Sequence, residues 1–424
     1  MKNDLVYLKN NVVPEPLVDH WYAWPHLISP ATAAMNVLER HLKIMSSYIL
    51  APQIHATAVK DPKLLGGPFM DYPENRREQV KQLKEATLKN QARMLEFARA
   101  VQQLSKMLQS EARGGSLSDL YPQVPEVLRG YVELCYDINN HPSFRFFESL
   151  LYRSEFYRPE LQSIAFYLIE DDDRPFILST PRLEGNDPAL HLRIPFNSPA
   201  IDELFMMQRR PNSYAYIKER LGITEDQEPL FRTFFTRDAP EAYRKYDGDH
   251  IRTRYFGHAC ILIETKNVSI LSDPVISYGY NSDISRFTYT DLPDVIDYVV
   301  ITHNHQDHVL IETMLQLRHK IRHIIVPKNG TGSLQDPSLK LMLNAIGFHN
   351  VIEIDELDTV RMPGCTITGL PFLGEHSDLD IRTKMCHHVQ LEDELSILLA
   401  ADSCNHEPKL YEHVQKVIGD VDVF

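Results

Sequence analysis

The stretch Thr302-His303-Asn304-His305-Gln306-Asp307-His308 places three imidazoles and a carboxylate side by side, a density of nitrogen and oxygen donors that belongs to metal chemistry. It follows an apolar, β-branched run, Asp297-Tyr298-Val299-Val300-Ile301, so the donors stand at the mouth of a strand. In an extended segment residues two apart point the same way, which lets His303 and His305 converge on one ion. Asp307 and His308 fall at the expected start of a helix, and their one-residue step aims them elsewhere. The four donors therefore suit two neighbouring ions better than one. Two more strand ends supply carboxylates. Residues 366–373 run into Gly374-Glu375-His376-Ser377-Asp378-Leu379, and residues 395–401 run into Asp402. A carboxylate at a strand end has two oxygens and can give one to each of two cations. The competing reading of the histidine run is a solvated surface cluster that holds no ion.

Strands and helices must alternate to hold these donors, and from about residue 246 they do. Residues 253–264 and 268–274 read as strands with a turn at Lys266-Asn267. After the metal stretch come a helix at 311–320, a strand at 323–326 and a helix at 339–346, the rhythm of a layered α/β sandwich. His258 and Asp273 lie near the same strand ends, where they could orient ligands or serve structural hydrogen bonds. Cys386-His387-His388 lacks metal-ligand spacing and reads as strand surface. His406 and His413 read as surface too.

Residues 1–245 look α+β and carry no catalytic motif. A helix is expected at 31–50, and a long one at 75–113, where Val80, Leu83, Leu95, Val101, Leu104 and Leu108 recur mostly at three- and four-residue steps. The long helix could be a dimer arm, but its repeat is not a strict heptad, which favours packing on the chain's own core. Residues 144–152 read as an aromatic-rich helix that either packs in a core or lines a pocket. Strands are expected at 163–169 and 175–178, split by an acidic turn at 170–173.

Composition bounds what such a site serves. The chain has 424 residues, 43% hydrophobic and 24% charged, the profile of a globular protein long enough for two domains. Its 44 basic and 58 acidic residues leave a net charge of −14, which disfavours nucleic acid as a partner. No window approaches signal-peptide or membrane-span character, so cytoplasmic residence is expected. The five cysteines are odd in number and widely spaced, as reduced structural thiols are. Two basic concentrations, Arg209, Arg210, Lys218 and Arg220, and Arg244, Lys245, Arg252 and Arg254, could receive an acidic partner or form a solvated face.

The Thr-His-x-His-x-Asp-His signature at 302–308, the Asp273-Pro274 step and the strand-end Asp402 resemble the metallo-β-lactamase superfamily. That resemblance implies an αββα sandwich with a dinuclear site at one edge: His303 and His305 on one metal, Asp307 and His308 on the other, Asp402 between them. A narrower resemblance rests on Gly374-Glu375-His376-x-Asp378-Leu379, on Ala400-Ala401-Asp402-Ser403 and on the long N-terminal domain. These are similar to the diiron β-hydroxylases of nonribosomal peptide synthesis, a family of antibiotic biosynthesis. In that family a glutamate enters the ligand set, so Glu375 replaces the expected histidine, with His376 as its competitor. Oxygen donors harden the site and favour iron. The resemblance implies two non-haem iron ions and O2 as cofactors and Glu375 and Asp402 as catalytic carboxylates. The implied reaction is monooxygenation at the β-carbon of an aminoacyl group held as a thioester on an acidic carrier domain. No flavin or nicotinamide fingerprint is evident, so an external electron donor is expected. The alternative is a dinuclear zinc hydrolase acting on an ester, thioester or phosphodiester, in which two zinc ions acidify a bridging water; a sandwich that has lost its metals is a third reading. The superfamily's last histidine for the second metal comes from beyond a further strand, and residues 418–424 read as that strand beginning. The expected organisation is thus an N-terminal α+β domain at 1–245, which could serve dimerisation and substrate or carrier docking, and a metallo-β-lactamase-like catalytic domain at 246–424, truncated at its C-terminus.

Overall fold

The computed structural model describes residues 4–171, 174, 178–185, 188–330, 332–376, 379–391 and 395–424. Among these, a six-stranded sheet has the order Arg252–Gly257, Cys260–Glu264, Ser269–Ser272, Ile296–Val300, Ile321–Pro327, Val351–Ile354, and a four-stranded sheet the order Thr359–Met362, Cys365–Leu370, Cys386–Leu391, Leu395–Leu399. The last four strands of the first sheet are parallel, with Leu271 opposite Val299 and Val299 opposite Ile324. Parallel strands are covered on both faces, which is why Val299-Val300-Ile301 and Ile324-Ile325-Val326 are apolar without alternation. The second sheet is antiparallel.

Ile263, Ile270, Val300 and Ile325 from one sheet meet Ile367, Val389 and Ile397 from the other in a common core. The helices Ile311–Leu317 and Leu339–Ala345 pack on the outer face of the first sheet. Pro408–Ile418 sets Val414 against Leu370, Phe372 and Leu398 on the outer face of the second. This is the expected αββα sandwich. Its topology puts the ends of Ser269–Ser272, Ile296–Val300, Cys365–Leu370 and Leu395–Leu399 at one edge, the edge where open α/β sheets bind ligands.

The N-terminal part is α+β. It has an antiparallel sheet of Trp21–Tyr22, Val12–Val18, Gln162–Leu168 and Leu190–Arg193, a hairpin of Val132–Tyr136 with Pro142–Phe146, and the helices Arg77–Asn90 and Ala92–Glu111. It also closes over the sandwich. Val12, Ile164, Phe205 and Ile217 belong to the same apolar cluster as Met314, Leu315 and Leu343, so the helix Ile311–Leu317 has every residue buried. Its one carboxylate, Glu312, accepts from Tyr22 Oη at 3.0 Å, Tyr278 Oη at 2.5 Å and Arg174 Nη1 at 3.2 Å. Burial raises the Glu312 pKa, and Arg174 works against that rise.

Several elements differ from expectation. The 75–113 helix is two, because the backbone turns at Gln91 (φ −112°, ψ 25°); there the Gln91 amide and the Thr87 hydroxyl both donate to Asp19 Oδ2. The second helix buries Met94, Phe97, Val101 and Leu104 within the chain itself. Residues 144–152 are a strand end followed by the short helix Glu148–Leu151, since Phe144 pairs across the hairpin with Leu134. The run 253–264 is a hairpin, folded at Gly257 (φ 120°) and His258 (φ 50°). His387 and His388 are buried at 0% and 6% exposure, because their strand is internal to its sheet and covered on both faces. The helix at 31–50 forms with a π turn at Val37–His41. Of the expected strand at 175–178, residues 175–177 lie outside the described residues. No helix among the described residues is long and apolar enough to cross a membrane, and the five cysteines are free.

Candidate metal centre

Asp273 closes the strand Ser269–Ser272 in a left-handed turn (φ 32°) with 0% exposure. Its carboxylate accepts from the Thr302 amide at 2.8 Å and the Thr302 hydroxyl at 2.6 Å, which fixes the start of the histidine run. It also lies 2.8 Å from His308 Nδ1. A carboxylate there can only accept, so Nδ1 carries the proton and the Nε2 lone pair points the other way. Among the described residues that buried Nε2 has no hydrogen-bond partner, and it stands 3.2 Å from Asp402 Oδ2. A buried imidazole nitrogen set against a carboxylate is an arrangement that fits a cation between the two.

His303 is likewise at 0% exposure, with Nδ1 3.0 Å from the Thr302 hydroxyl and Nε2 3.0 Å from His305 Nδ1. Burial and the neighbouring imidazoles hold its pKa down to about 2, so it is neutral, the form a metal needs. His305 Nδ1 is 3.7 Å from Glu375 Oε1. Asp307 Oδ2 is 3.0 Å from His258 Nε2 and 4.0 Å from His308 Nε2.

Two donors on one ion, each about 2.1 Å from it, lie no more than about 4.2 Å apart. Among the described residues, four groups each bring one ligand atom per residue within 4.8 Å of the others, a little wider than that limit: His303, His305 and His376; His305, Glu375 and Asp402; His303, His308 and Asp402; His258, Asp307 and His308. Asp402 is shared between a group on the Glu375 side and one on the His308 side. The structure thus brings together all six expected residues, His303, His305, Asp307, His308, Glu375 and Asp402. The imidazoles of His303 and His308 are walled in, while Asp307, Glu375 and Asp402 have side chains 57%, 37% and 38% exposed. The residues fit a pair of cations with an open side.

Strain marks the carboxylate loops. Gly374, Glu375 and His376 have φ of 85°, 56° and 58°, and Ala401, just before Asp402, has 45°. Each non-glycine residue there costs about 1–2 kcal/mol. A Cβ on Gly374 would stand 3.0 Å from Cys404 Sγ. The two loops are tied together by Cys404 N to Leu373 O at 2.7 Å and Leu373 N to Ser403 Oγ at 3.0 Å. His376 faces His305 with ring centroids 4.3 Å apart, and burial, His305 and Lys384 lower its pKa to about 4. Ser377 and Asp378 of the motif lie outside the described residues.

His258 and Asp273 both reach the site. His387, His388, His406 and His413 belong to none of the donor groups, and His406 and His413 are exposed. In the N-terminal part, burial and then the charge of His305 lower the His26 pKa to about 4, though His26 belongs to none of the donor groups. The Trp24-Pro25-His26 step was visible, but nothing local links it to residue 305. The basic concentrations are largely engaged: Lys218 pairs with Glu228, Arg220 with Glu203, and Arg252 and Arg254 with Glu264.

Residues 7–240 match the family model described as the diiron non-heme beta-hydroxylase N-terminal domain, and residues 252–424 match one described as a beta-lactamase superfamily domain. Over 423 residues the chain is 36% identical to the 4-amino-L-phenylalanyl-[CmlP-peptidyl-carrier-protein] 3-hydroxylase of Streptomyces venezuelae, covering 98% of this chain and 79% of that one. The crystal structure of CmlA, a diiron beta-hydroxylase from Streptomyces venezuelae, superposes with a TM-score of 0.91 at 36% identity, covering 99% of this chain and 79% of that one. A stretch of 122 residues is 32% identical to a UPF0173 protein of Pyrococcus abyssi, covering 29% of this chain and 48% of that one.

Proposed function

Since the chain belongs to the diiron non-heme beta-hydroxylase family, we propose that it hydroxylates the β-carbon of an aminoacyl group held as a thioester on a carrier domain. The reaction inserts one atom of O2 into a C–H bond and releases the other as water, which requires two electrons and two protons. We assign the electrons to a separate donor protein. Two iron ions, when bound, supply the O2-activating redox chemistry.

The chain's own residues do the rest. His303, His305 and Glu375 form one donor set and Asp307 and His308 the other, with Asp402 offered to both. Asp273 fixes the tautomer and the aim of His308, and Thr302 holds Asp273 in register. The observation that carries the reading is Glu375 beside His305, with Asp402 completing their group: two carboxylates and one imidazole make a hard, anionic set that suits iron. One observation favours zinc hydrolysis instead, the all-nitrogen group of His303, His305 and His376. Cytoplasmic residence is part of the proposal, supported by the free buried thiols of Cys260, Cys365 and Cys386.

The deciding experiment incubates aminoacyl-loaded carrier domains with reduced, iron-loaded protein and O2, followed by mass spectrometry. A gain of one oxygen atom is expected. Zinc-dependent release of the aminoacyl group without oxygen incorporation would overturn the reading in favour of the hydrolase.

A further inference from the structure

We infer that Lys384 is a positioning residue that joins the two halves of one ion's ligand set, His303 and Glu375; this rests on the assignment of Glu375 to the ion. The turn at Gly374, Glu375 and His376 takes three successive left-handed conformations, φ 85°, 56° and 58°. A backbone of that kind persists only where its surroundings impose it. Cys404 grips it from one side through Leu373 O. From the other, Lys384 Nζ donates to Gly374 O at 2.9 Å, directly before the Glu375 peptide.

Lys384 is itself held on the opposite half of the site. Its backbone forms an antiparallel bridge with His303, and the next amide, Met385 N, donates to Thr302 O at 2.7 Å. Just upstream, the amides of Arg382 and Thr383 donate to the Asp336 carboxylate at 2.8 Å and 3.3 Å; Asp336 and Thr383 are buried at 1% and 0% exposure. The lysine stem thus rises from the segment that sets His303, and its head fixes the carbonyl that sets Glu375. The ammonium also lies 5.8 Å from the centre of the Phe372 ring. A merely solvated lysine would leave the ligand set unchanged on replacement, whereas a positioning lysine sets both the affinity and the geometry of the ion.

The test compares Lys384→Met and Lys384→Arg in the full chain, reconstituted with ferrous iron. Iron affinity is read by competition with a chelator and site geometry by the circular dichroism of the iron bands. Lys384→Met is expected to lose about 10- to 100-fold in affinity for one iron and to shift the spectrum. Lys384→Arg, which keeps charge and donor, stays within a few-fold. Two irons per chain with wild-type affinity and spectrum in Lys384→Met would overturn the role. Should Lys384→Met not fold, Lys384→Gln is read on the same two scales. Glu375→Gln, run in parallel, separates the failures. Wild-type iron affinity in that variant removes Glu375 as a ligand; iron loss there but not in Lys384→Met removes only the positioning role.

Discussion

Asp402 and Asp273 divide the work of carboxylates at this site in a way that substitution can separate. Asp402 offers oxygens to both sides, so Asp402→Ala is expected to lower the iron content of both positions and abolish hydroxylation. Asp273 belongs to none of the donor groups among the described residues; it orients His308. Asp273→Asn should therefore weaken one iron only, by about 10- to 100-fold, with the other retained. Iron titration with a spectroscopic count of occupied sites distinguishes the two variants, and equal loss from both would remove the division. The cluster at 302–308 was legible in the sequence, because side-chain chemistry and two-residue spacing are local properties, whereas the choice of Glu375 over His376 came only from the family resemblance. Lys384 and His26 were not. Their relevance depends on which chain segments the fold brings beside His303 and His305, and no spacing rule carries that.

At the level of elements, each loop holding a carboxylate is bent harder than a strand end requires. Gly374→Ala puts a side chain where φ is 85° and Cys404 Sγ would be 3.0 Å away. It is expected to cost about 1–2 kcal/mol in thermal or urea unfolding and to reduce iron retention. The strand Cys386–Leu391 carries the opposite case, an imidazole with no visible task. His387 has 0% exposure, and among the described residues neither ring nitrogen has a hydrogen-bond partner. Burial lowers its pKa from 6.5 to about 4. The unfolded chain therefore binds more protons between those values, and the stability present above pH 6.5 is lost as pH falls towards 4, by roughly 3 kcal/mol in all. His387→Leu is expected to flatten that part of the pH–stability curve and to leave iron content unchanged; a curve of unchanged slope would show a partner for His387. Read alone, Cys386-His387-His388 looked like strand surface, since polar residues seldom fill a strand covered on both faces. The break at Gln91 was hidden for a related reason: helical periodicity continues across it, and Asp19, which receives the Thr87 and Gln91 side chains at the turn, is far away in sequence.

The scale least visible in the sequence is the whole molecule. The two parts of the chain read as neighbours, yet they share an apolar cluster and a set of buried polar bridges. Arg318 makes one such bridge. It lies beside the sandwich helix and donates to Asp202 Oδ1 at 2.9 Å, Ser198 O at 2.8 Å and Ile346 O at 2.5 Å. Arg318→Ala leaves Asp202 without its cation and should destabilise the chain by about 3–5 kcal/mol, measured by urea unfolding, with a single transition retained. Two separate transitions in the unaltered chain would argue against the shared core. Burial of the helix Ile311–Leu317 on every side bears also on protein engineering. A fragment of residues 246–424 would expose Met314, Leu315 and Leu343 to water and is expected to aggregate on expression. Transplanting this catalyst into a foreign assembly line therefore means moving both parts as one indivisible cassette.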